Sequence, residues 1–455
     1  MCISLHHSFG VVYLSNDVKG LLVRRLAWQV LQSVSSGAYA EKAVERAFRK
    51  SNLKTSDRSL LTEISYGAIR QRYVLDCWID FLGKVPALKQ PPLLRWLLHV
   101  GLYQILCMDR VPESAAVNIT VQLAKESDLN RLSRVVNAIL REAVRAKEDD
   151  VDLPQPKDQS LRFAQKYSLP IWLSKKIISW RGLQDAENIA KAFNQSPTID
   201  LRVNRLRSNP TNLQEEFKIA GLKTKPINGC PFGIEICSNP GNIRELPGYE
   251  QGDWSVQDRS AQWVSPFLAP STEDKILDVC AAPGGKTIHL AELMSGNGEI
   301  WAVDRSEDRL KRLSFNAARL GIKSIHPLVA DASLLDTLKP EWNGFFNKIL
   351  IDAPCSGLGT LARNPDARWR IKPENIDDLI DLQYRILNGV LPLLAYGGRI
   401  VYSTCTINPS ENFEQIKNLV QSHPDLHLLK EEQRWPGIDR EGDGFYVAIL
   451  EREFY

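Results

Sequence analysis

Two short stretches carry the side chains best suited to chemistry: Ile351-Asp352-Ala353-Pro354-Cys355-Ser356-Gly357 and Ser403-Thr404-Cys405-Thr406. The first sets a carboxyl group close to a thiol; the second supplies another thiol. A thiolate attacks electron-poor carbon and a carboxyl group moves a proton, so the set suits covalent catalysis with acid–base help. The apolar runs Lys348-Ile349-Leu350-Ile351 and Gly398-Arg399-Ile400-Val401-Tyr402 precede them and read as buried strands. Pro354 cannot donate to a sheet ladder and ends the first strand, and Gly357 and Gly359 loosen the backbone beyond it. Ligands of open α/β sheets bind past the carboxyl ends of the strands, so both thiols and the acid are expected at one such edge. The commoner fate of a free cysteine is a small buried hydrophobe. That reading is adopted for Cys2, Cys77, Cys107, Cys230 and Cys237.

A third stretch, Ala281-Ala282-Pro283-Gly284-Gly285-Lys286-Thr287, follows the strand Lys275-Ile276-Leu277-Asp278-Val279-Cys280 and opens a helix running through Met294. Glycines at a strand-to-helix turn let a ligand approach the backbone. Cys280 is expected to line this loop through its backbone. Asp304 ends the next strand, where a carboxylate accepts from both hydroxyls of a ribose. Asp331 ends the third and can reach an adenine edge. The loop lacks the G-x-G-x-x-G of a dinucleotide site. Gly284-Gly285-Lys286-Thr287 ends like a P-loop, but Asp278 stands where the first glycine belongs. A tight connection with surface aspartates is the bland alternative. Acids at successive strand ends favour a nucleoside with a cationic sulfonium, S-adenosylmethionine, over a polyphosphate.

The elements that position these residues come from hydrophobic period. From 254 to 455 strands alternate with helices: strands near 325–330, 347–352, 398–404 and 445–450, and helices near 306–320, 374–394 and 410–422. This alternation predicts a mostly parallel, doubly wound α/β sheet. Residues 151–253 form a helical and α+β connecting domain. It begins with a polar, Pro-containing linker at 147–156, continues as helix to Asn194 with Trp172 and Trp180 in the core, and ends in a small unit with strands near 199–204, 233–238 and 253–257 and a helix over 211–221. Arg202, Asn204 and Arg207 are either RNA contacts or exposed strand polars. Residues 1–150 read as all helix from about 20 onward, with Leu22, Leu26 and Val30, and Leu94, Leu97, Leu98, Leu102, Ile105 and Leu106, at helical spacing. Arg24, Arg25, Arg46, Arg49, Lys50, Lys54, Arg58, Arg70 and Arg72 make the first half of that region basic.

Composition sets the outer limits. A length of 455 residues suggests about three domains at roughly 150 residues each. Hydrophobic content of 44% and charged content of 24% are those of an ordinary globular protein. The net charge of +3 permits an RNA partner without requiring one. The cysteines show no C-x-x-C and no zinc spacing, so neither a metal nor a disulfide framework is expected, and reduced thiols suit the cytoplasm. No apolar run of about 18 residues predicts a membrane span. Residues 1–16 lack the basic start and cleavage site of a signal peptide and are read as a loose extension. A monomer is expected.

The motifs together resemble a known family. Asp278-Val279-Cys280-Ala281-Ala282-Pro283-Gly284-Gly285-Lys286-Thr287, Asp352-Ala353-Pro354-Cys355-Ser356-Gly357, Ser403-Thr404-Cys405-Thr406, Asn364-Pro365-Asp366 and Asn408-Pro409-Ser410-Glu411-Asn412 are similar to those of the RNA 5-methylcytosine methyltransferases. Leu61-Thr62-Glu63-Ile64-Ser65-Tyr66-Gly67-Ala68-Ile69-Arg70, Asp109-Arg110-Val111-Pro112-Glu113-Ser114-Ala115-Ala116-Val117-Asn118 and Val135-Val136-Asn137-Ala138-Ile139-Leu140-Arg141 resemble the NusB-type helical RNA-binding domain. The whole chain is similar to the bacterial Sun/RsmB branch. The resemblance implies a Rossmann-like S-adenosylmethionine-dependent methyltransferase domain and a NusB-like front end. It also implies a small-subunit ribosomal RNA, free or in an assembly intermediate, as partner. It assigns attack on carbon 6 of a cytosine to Cys405, proton handling near N3 to Asp352 and release to Cys355. It assigns the cofactor to Cys280, Ala281, Ala282, Pro283, Gly284, Gly285, Lys286, Asp304, Asp331 and Asp352. A thiol must ionise to attack, and a nearby cation or the helix start after Cys405 would favour that. Arg368, Arg370 and Lys372 are expected either near the path of the RNA or as exposed loop charge. The rival readings are the same chemistry on a tRNA or another rRNA cytosine, a NusB-like RNA-binding factor with a vestigial enzyme domain, and a dithiol redox protein. The separate motifs of Cys355 and Cys405 argue against the last.

Overall fold

The computed structural model describes residues 20–439 and 442–453. The readings for Cys2 and for 1–16 lie outside them. The chain divides into two compact units, one ending at Ile171 and the other beginning at Trp172.

The first unit is helical throughout, with helices Leu21–Ser35, Ala40–Arg49, Thr55–Arg70, Arg72–Leu82, Pro92–Cys107, Glu113–Lys125, Ser133–Glu148 and Gln159–Tyr167. Its core is aliphatic: Leu61, Ile64, Leu75, Ile79, Leu97, Leu98, Leu102 and Ile105 are wholly buried. Burying each such side chain contributes roughly 1.5–3 kcal/mol. In the first helix the buried stripe runs through Val23, Leu26, Ala27, Val30 and Leu31, while Leu22 faces outward. The basic set also divides. Arg24 and Arg70 are buried, and Arg24 donates to Gln104, whereas Arg46, Arg49, Lys50, Lys54 and Arg58 are exposed. Asp76 ties the core together, accepting from Arg95 and His99. Burial pushes its carboxyl group up, but those two hydrogen bonds outweigh it and hold the group down at about 2. Among the described residues no helix is long and apolar enough to cross a membrane.

The second unit opens with the helix Ile171–Asn194, which is interrupted at Gly182. It then builds two sheets. The smaller has β1 (Ile199–Val203), β2 (Thr224–Ile227), β3 (Cys230–Ile236) and β4 (Trp254–Val256), antiparallel in the order β2-β3-β1-β4. The larger has β5 (Lys275–Val279), β6 (Glu299–Asp304), β7 (Ile325–Val329), β8 (Phe346–Asp352), β9 (Leu394–Thr404), β10 (Leu426–Arg434) and β11 (Phe445–Arg452), in the order β10-β11-β9-β8-β5-β6-β7. Strands β5 to β9 are parallel, and β11 runs antiparallel between β9 and β10. Central β8 is buried on both faces, with Ile349, Leu350 and Ile351 fully enclosed, as a parallel strand covered by helices must be.

Two strands were not expected from the sequence, and both are edges. β10 carries Lys430-Glu431-Glu432-Gln433-Arg434, polar throughout and none of it buried, so no apolar alternation marks it. β2 contains Pro226, which an edge strand tolerates and a central one does not. Of the polar residues in and just after β1, Arg202 and Asn204 are buried and are not RNA contacts, while Arg207 is exposed. Arg202 is 1% exposed and pairs bidentately with Glu292 while donating to the Gly285 carbonyl. Asn204 donates to the carbonyls of Gly252 and Leu320, and Arg207 to that of Gln251. Arg202 thus fastens the small sheet to the helix and loop that follow β5, and Asn204 to the end of the helix Glu307–Arg319 that follows β6.

Candidate active site

The strand order of the larger sheet reverses between β5 and β8: β6 and β7 lie to one side, β9 and β11 to the other. Loops leaving the two central strands diverge there and open a crevice. The loop after β5 begins at Cys280 with a φ of 61°, passes a cis bond from Ala282 to Pro283, and turns into the helix Gly285–Leu293 at Gly284. Gly284 has a φ of 103°, and a Cβ there would sit 2.6 Å from Cγ of Leu313, so both conformation and space require glycine.

Carboxyl groups rim this crevice. Asp278 is fully buried beneath the loop; one oxygen accepts from the Thr287 hydroxyl at 2.6 Å and the other, Oδ1, is buried with no protein partner. Burial, with the charge of Asp352 adding to it, raises its carboxyl group to about 7. Asp304 accepts from the amides of Ala282 at 3.2 Å and Ser306 at 2.9 Å. Asp331 caps the following turn through the Ser333 amide and hydroxyl. Burial and the charges of Asp352, Asp304 and Asp278 push the Cys280 thiol up to about 12, so its side chain is a poor nucleophile.

Asp352 ends β8 opposite Ser403 of β9 in register, and accepts from the Ser403 hydroxyl at 3.1 Å. Its other oxygen accepts from the Lys286 ammonium at 2.7 Å. Burial disfavours the charge on Lys286, but Asp352 outweighs it, with Cys405 and Asp278 adding to the effect, and holds the ammonium above its ordinary range. Lys286, read from sequence as part of the cofactor loop alone, is thus also the cation beside Cys405. The expected alternative, a helix start, lies further on: a short turn at Pro409–Glu411 intervenes before the helix Phe413–Ser422.

Cys355 and Cys405, fifty positions apart in sequence, have their sulfurs 3.4 Å apart. Sequence separation is therefore no argument against their acting as a pair. The hydrogen bond with Cys405, then burial, then the negative charges of Cys405 and Glu411 hold the Cys355 thiol well above the usual range. Gly359 braces the pair from outside, donating its amide to the Cys405 carbonyl at 3.0 Å and accepting from the Gly444 amide at 2.8 Å.

Several expectations for neighbouring residues are corrected. Arg368 is fully buried and donates to Asn194, Phe193 and Leu361, so it is neither loop charge nor an RNA contact. Arg370 pairs with Asp366, and Lys372 is exposed. Cys107 and Cys237 are exposed rather than buried hydrophobes.

Comparison with known proteins decides the family. The description "16S rRNA methyltransferase RsmB/F" matches residues 265–451, the NusB family matches 22–145, and an RsmF/B-like ferredoxin-like domain matches 169–243. A probable ribosomal RNA small subunit methyltransferase B of Synechocystis is 42% identical over 88% of this chain and 90% of its own length. The chain belongs to this methyltransferase family. A second member, from Bacillus subtilis, is 32% identical over 96% of this chain and all of its own. The crystal structure of PH0851 superposes with a TM-score of 0.81 at 27% identity, covering 96% of this chain and 100% of that one. The family's parts correspond to the helical NusB-like domain, the ferredoxin-like domain around β1 to β4, and the Rossmann-like methyltransferase domain around β5 to β11. Sequence reasoning passed over Asp278, Ser403 and Glu411 as site residues. Each stands inside a quoted motif, but what it touches is fixed only in three dimensions: the helix after β5 for Asp278, the pairing of β8 with β9 for Ser403, and the loops of Cys355 and Cys405 for Glu411.

Proposed function

We propose that the chain transfers a methyl group from S-adenosylmethionine to carbon 5 of a cytosine in 16S ribosomal RNA, through a transient bond between Cys405 and carbon 6 of the base. One observation carries this reading: two sulfurs 3.4 Å apart, beside the Lys286–Asp352 pair, at the edge where the strand order reverses. The names of the relatives support ribosomal RNA of the small subunit as the substrate. A dithiol redox role would leave Lys286, Asp352 and the acid-rimmed loop without a task.

S-Adenosylmethionine, when bound, supplies an electrophilic methyl group on a sulfonium. Residues 280–286 with Asp304, Asp331 and Asp352 would hold it. Their carboxyl groups suit a cationic nucleoside, and the unpartnered Oδ1 of Asp278 suits a ligand with a donor to spare. Carbon 5 of cytosine is a weak nucleophile. The Cys405 thiol gives its proton to the Asp352 carboxylate; addition of the sulfur to carbon 6 pushes an electron pair into the ring, and Asp352 passes that proton on to N3 as charge gathers there. Lys286 orients Asp352 and sets a positive charge beside the attacking sulfur. Carbon 5 is then electron-rich enough to take the methyl group. Cys355, having given its own thiol proton to water, next removes the proton from carbon 5, the electron pair restores the ring double bond, Cys405 leaves as thiolate, and N3 returns its proton to Asp352. The change of base suits the electrostatics. While Cys405 is free, its hydrogen bond and charge hold the Cys355 proton on. Once Cys405 is a neutral thioether those contributions vanish, and Cys355 can act as a base.

Methyl transfer from labelled S-adenosylmethionine to 16S rRNA, with bisulfite sequencing of the product, tests this. A single protected cytosine that Cys405→Ala fails to produce is expected. Retained RNA binding with no transfer by the wild-type protein would instead mark a binding factor.

A further inference from the structure

Behind the two cysteines lies a group the reaction does not use. Glu411, in the turn that follows Cys405, is fully buried. Burying a carboxyl group is costly unless donors surround it, and here they do. One oxygen accepts from the Ser356 amide at 2.7 Å and the Gln383 side chain at 3.2 Å. The other accepts from the Ser356 hydroxyl at 2.6 Å, the Asn408 amide group at 3.0 Å and the Thr406 hydroxyl at 3.3 Å. Ser356 follows Cys355, Thr406 follows Cys405, and their hydroxyls also meet at 2.7 Å. Gln383 completes the frame by donating to the Pro354 carbonyl at 2.9 Å, on the other side of Cys355. Tyr402 donates to the Glu411 carbonyl at 2.8 Å and fixes the turn to β9.

We propose that Glu411 is a positioning residue for the release step: its carboxyl group ties the loop of Cys355 to the loop of Cys405 and so sets the distance between the two sulfurs. This rests on the reading above, in which Cys405 attacks and Cys355 releases. Among the described residues, the Cys355 sulfur meets only Cys405 and the backbone amide of Gly357, which belongs to its own loop. Once Cys405 bonds to a base, the contact between the sulfurs is lost, and the Glu411 frame is what still ties the Cys355 loop to the Cys405 loop and keeps Cys355 near the carbon it must deprotonate. Its negative charge also helps to keep the proton on Cys355 until then. Glutamine would put an amide NH2 where donors already converge, and the Ser356 loop would swing away. Attack needs only Cys405, Lys286 and Asp352, so it should suffer less than release.

The test uses the full chain, 16S rRNA and S-adenosylmethionine, with wild type, Cys355→Ala, Glu411→Gln and Ser356→Ala compared. Turnover is read from labelled methyl, and the covalent complex from a denaturing gel. Glu411→Gln should lose at least tenfold in turnover while the covalent complex accumulates, as in Cys355→Ala, and S-adenosylmethionine affinity should stay within a few-fold. Ser356→Ala keeps the carboxyl group and most donors, and should shift both readings the same way by less; it decides the matter should Glu411→Gln not fold. Cross-linking of Cys355 to Cys405 by a short bis-alkylating reagent should slow in both variants. Turnover within twofold of wild type, or turnover and covalent complex falling together, would overturn the proposal. Absence of the complex from Cys355→Ala would show that the two-cysteine reading itself fails, and Glu411's role with it.

Discussion

At the scale of single residues, the Lys286–Asp352 pair marks where the account is most exposed. Removing the ammonium takes away both the anchor of Asp352 and the positive charge beside Cys405. Lys286→Met is expected to lower turnover by about 10²-fold or more, measured under saturating RNA, because proton handling and the ease of forming the thiolate fall together. Asp278 makes a prediction about pH. Its carboxyl group stands at about 7 in the folded protein, whereas an unfolded aspartate ionises near pH ~4. Between those values the folded state holds a proton that the unfolded chain has released, so this group's contribution to stability is greatest in acid and is lost as pH rises towards 7. The sum is of order 4 kcal/mol. Asp278→Asn should therefore gain on wild type steadily from pH 5 to pH 8 in denaturant unfolding, and a constant difference would count against the assignment. The sequence made Cys355, Cys405 and Asp352 legible because each follows an apolar run at a strand end. Lys286 read only as part of a glycine loop, since what it touches depends on β5 lying beside β8, a pairing that no local pattern encodes.

At the scale of elements, the glycine brace and the Arg202 clamp are the features to disturb. A Cβ on Gly359 would meet the carbonyl of Gly444 and stand 2.8 Å from that of Cys405. Gly359→Ala should displace the Cys405 loop, cost at least tenfold in turnover and lower the melting temperature, because both contacts are backbone. Arg202 acts at the other end of the site, where its guanidinium spans Glu292 and the Gly285 carbonyl. Removing one partner of a buried pair strands the other, at a cost of about 3–5 kcal/mol. Arg202→Ala should destabilise the second unit by about that much in chemical denaturation and weaken S-adenosylmethionine binding, because the loop it steadies begins that helix. Most strands and helices of the last third were legible from period alone: β5, β6, β8 and β9 are apolar runs bounded by turn residues. β2 and β10 were hidden because an edge strand keeps one side of its ladder in solvent and needs no buried alternation. Arg202 misled for the opposite reason: in an alternating strand its charge reads as outward, and only the buried Glu292 explains why it points in.

At the scale of the whole molecule, length and the change of period at about 198 announced several domains, and the resemblance supplied their kinds. The order of the sheet, with its reversal between β5 and β8, follows from topology and not from any one segment. RNA binding belongs to this scale too. Arg46 and Lys50 are exposed on the first unit and open to phosphates, as is Arg58, whose guanidinium lies over the Phe48 ring. Replacing all three with alanine should weaken 16S rRNA binding and flatten its salt dependence by ~0.7 in log–log slope for each lost contact, with methyl transfer at saturating RNA little changed. A filter-binding titration at several salt concentrations checks this. The central claim, that Cys405 bonds the base and Cys355 frees it, is tested most directly by mass spectrometry of the Cys355→Ala protein after incubation with 16S rRNA and S-adenosylmethionine. A methylated cytosine attached to the peptide that contains Cys405, absent when Cys405 is also alanine, is the predicted result; a nucleotide attached at any other residue, or rapid turnover with none attached, would contradict it.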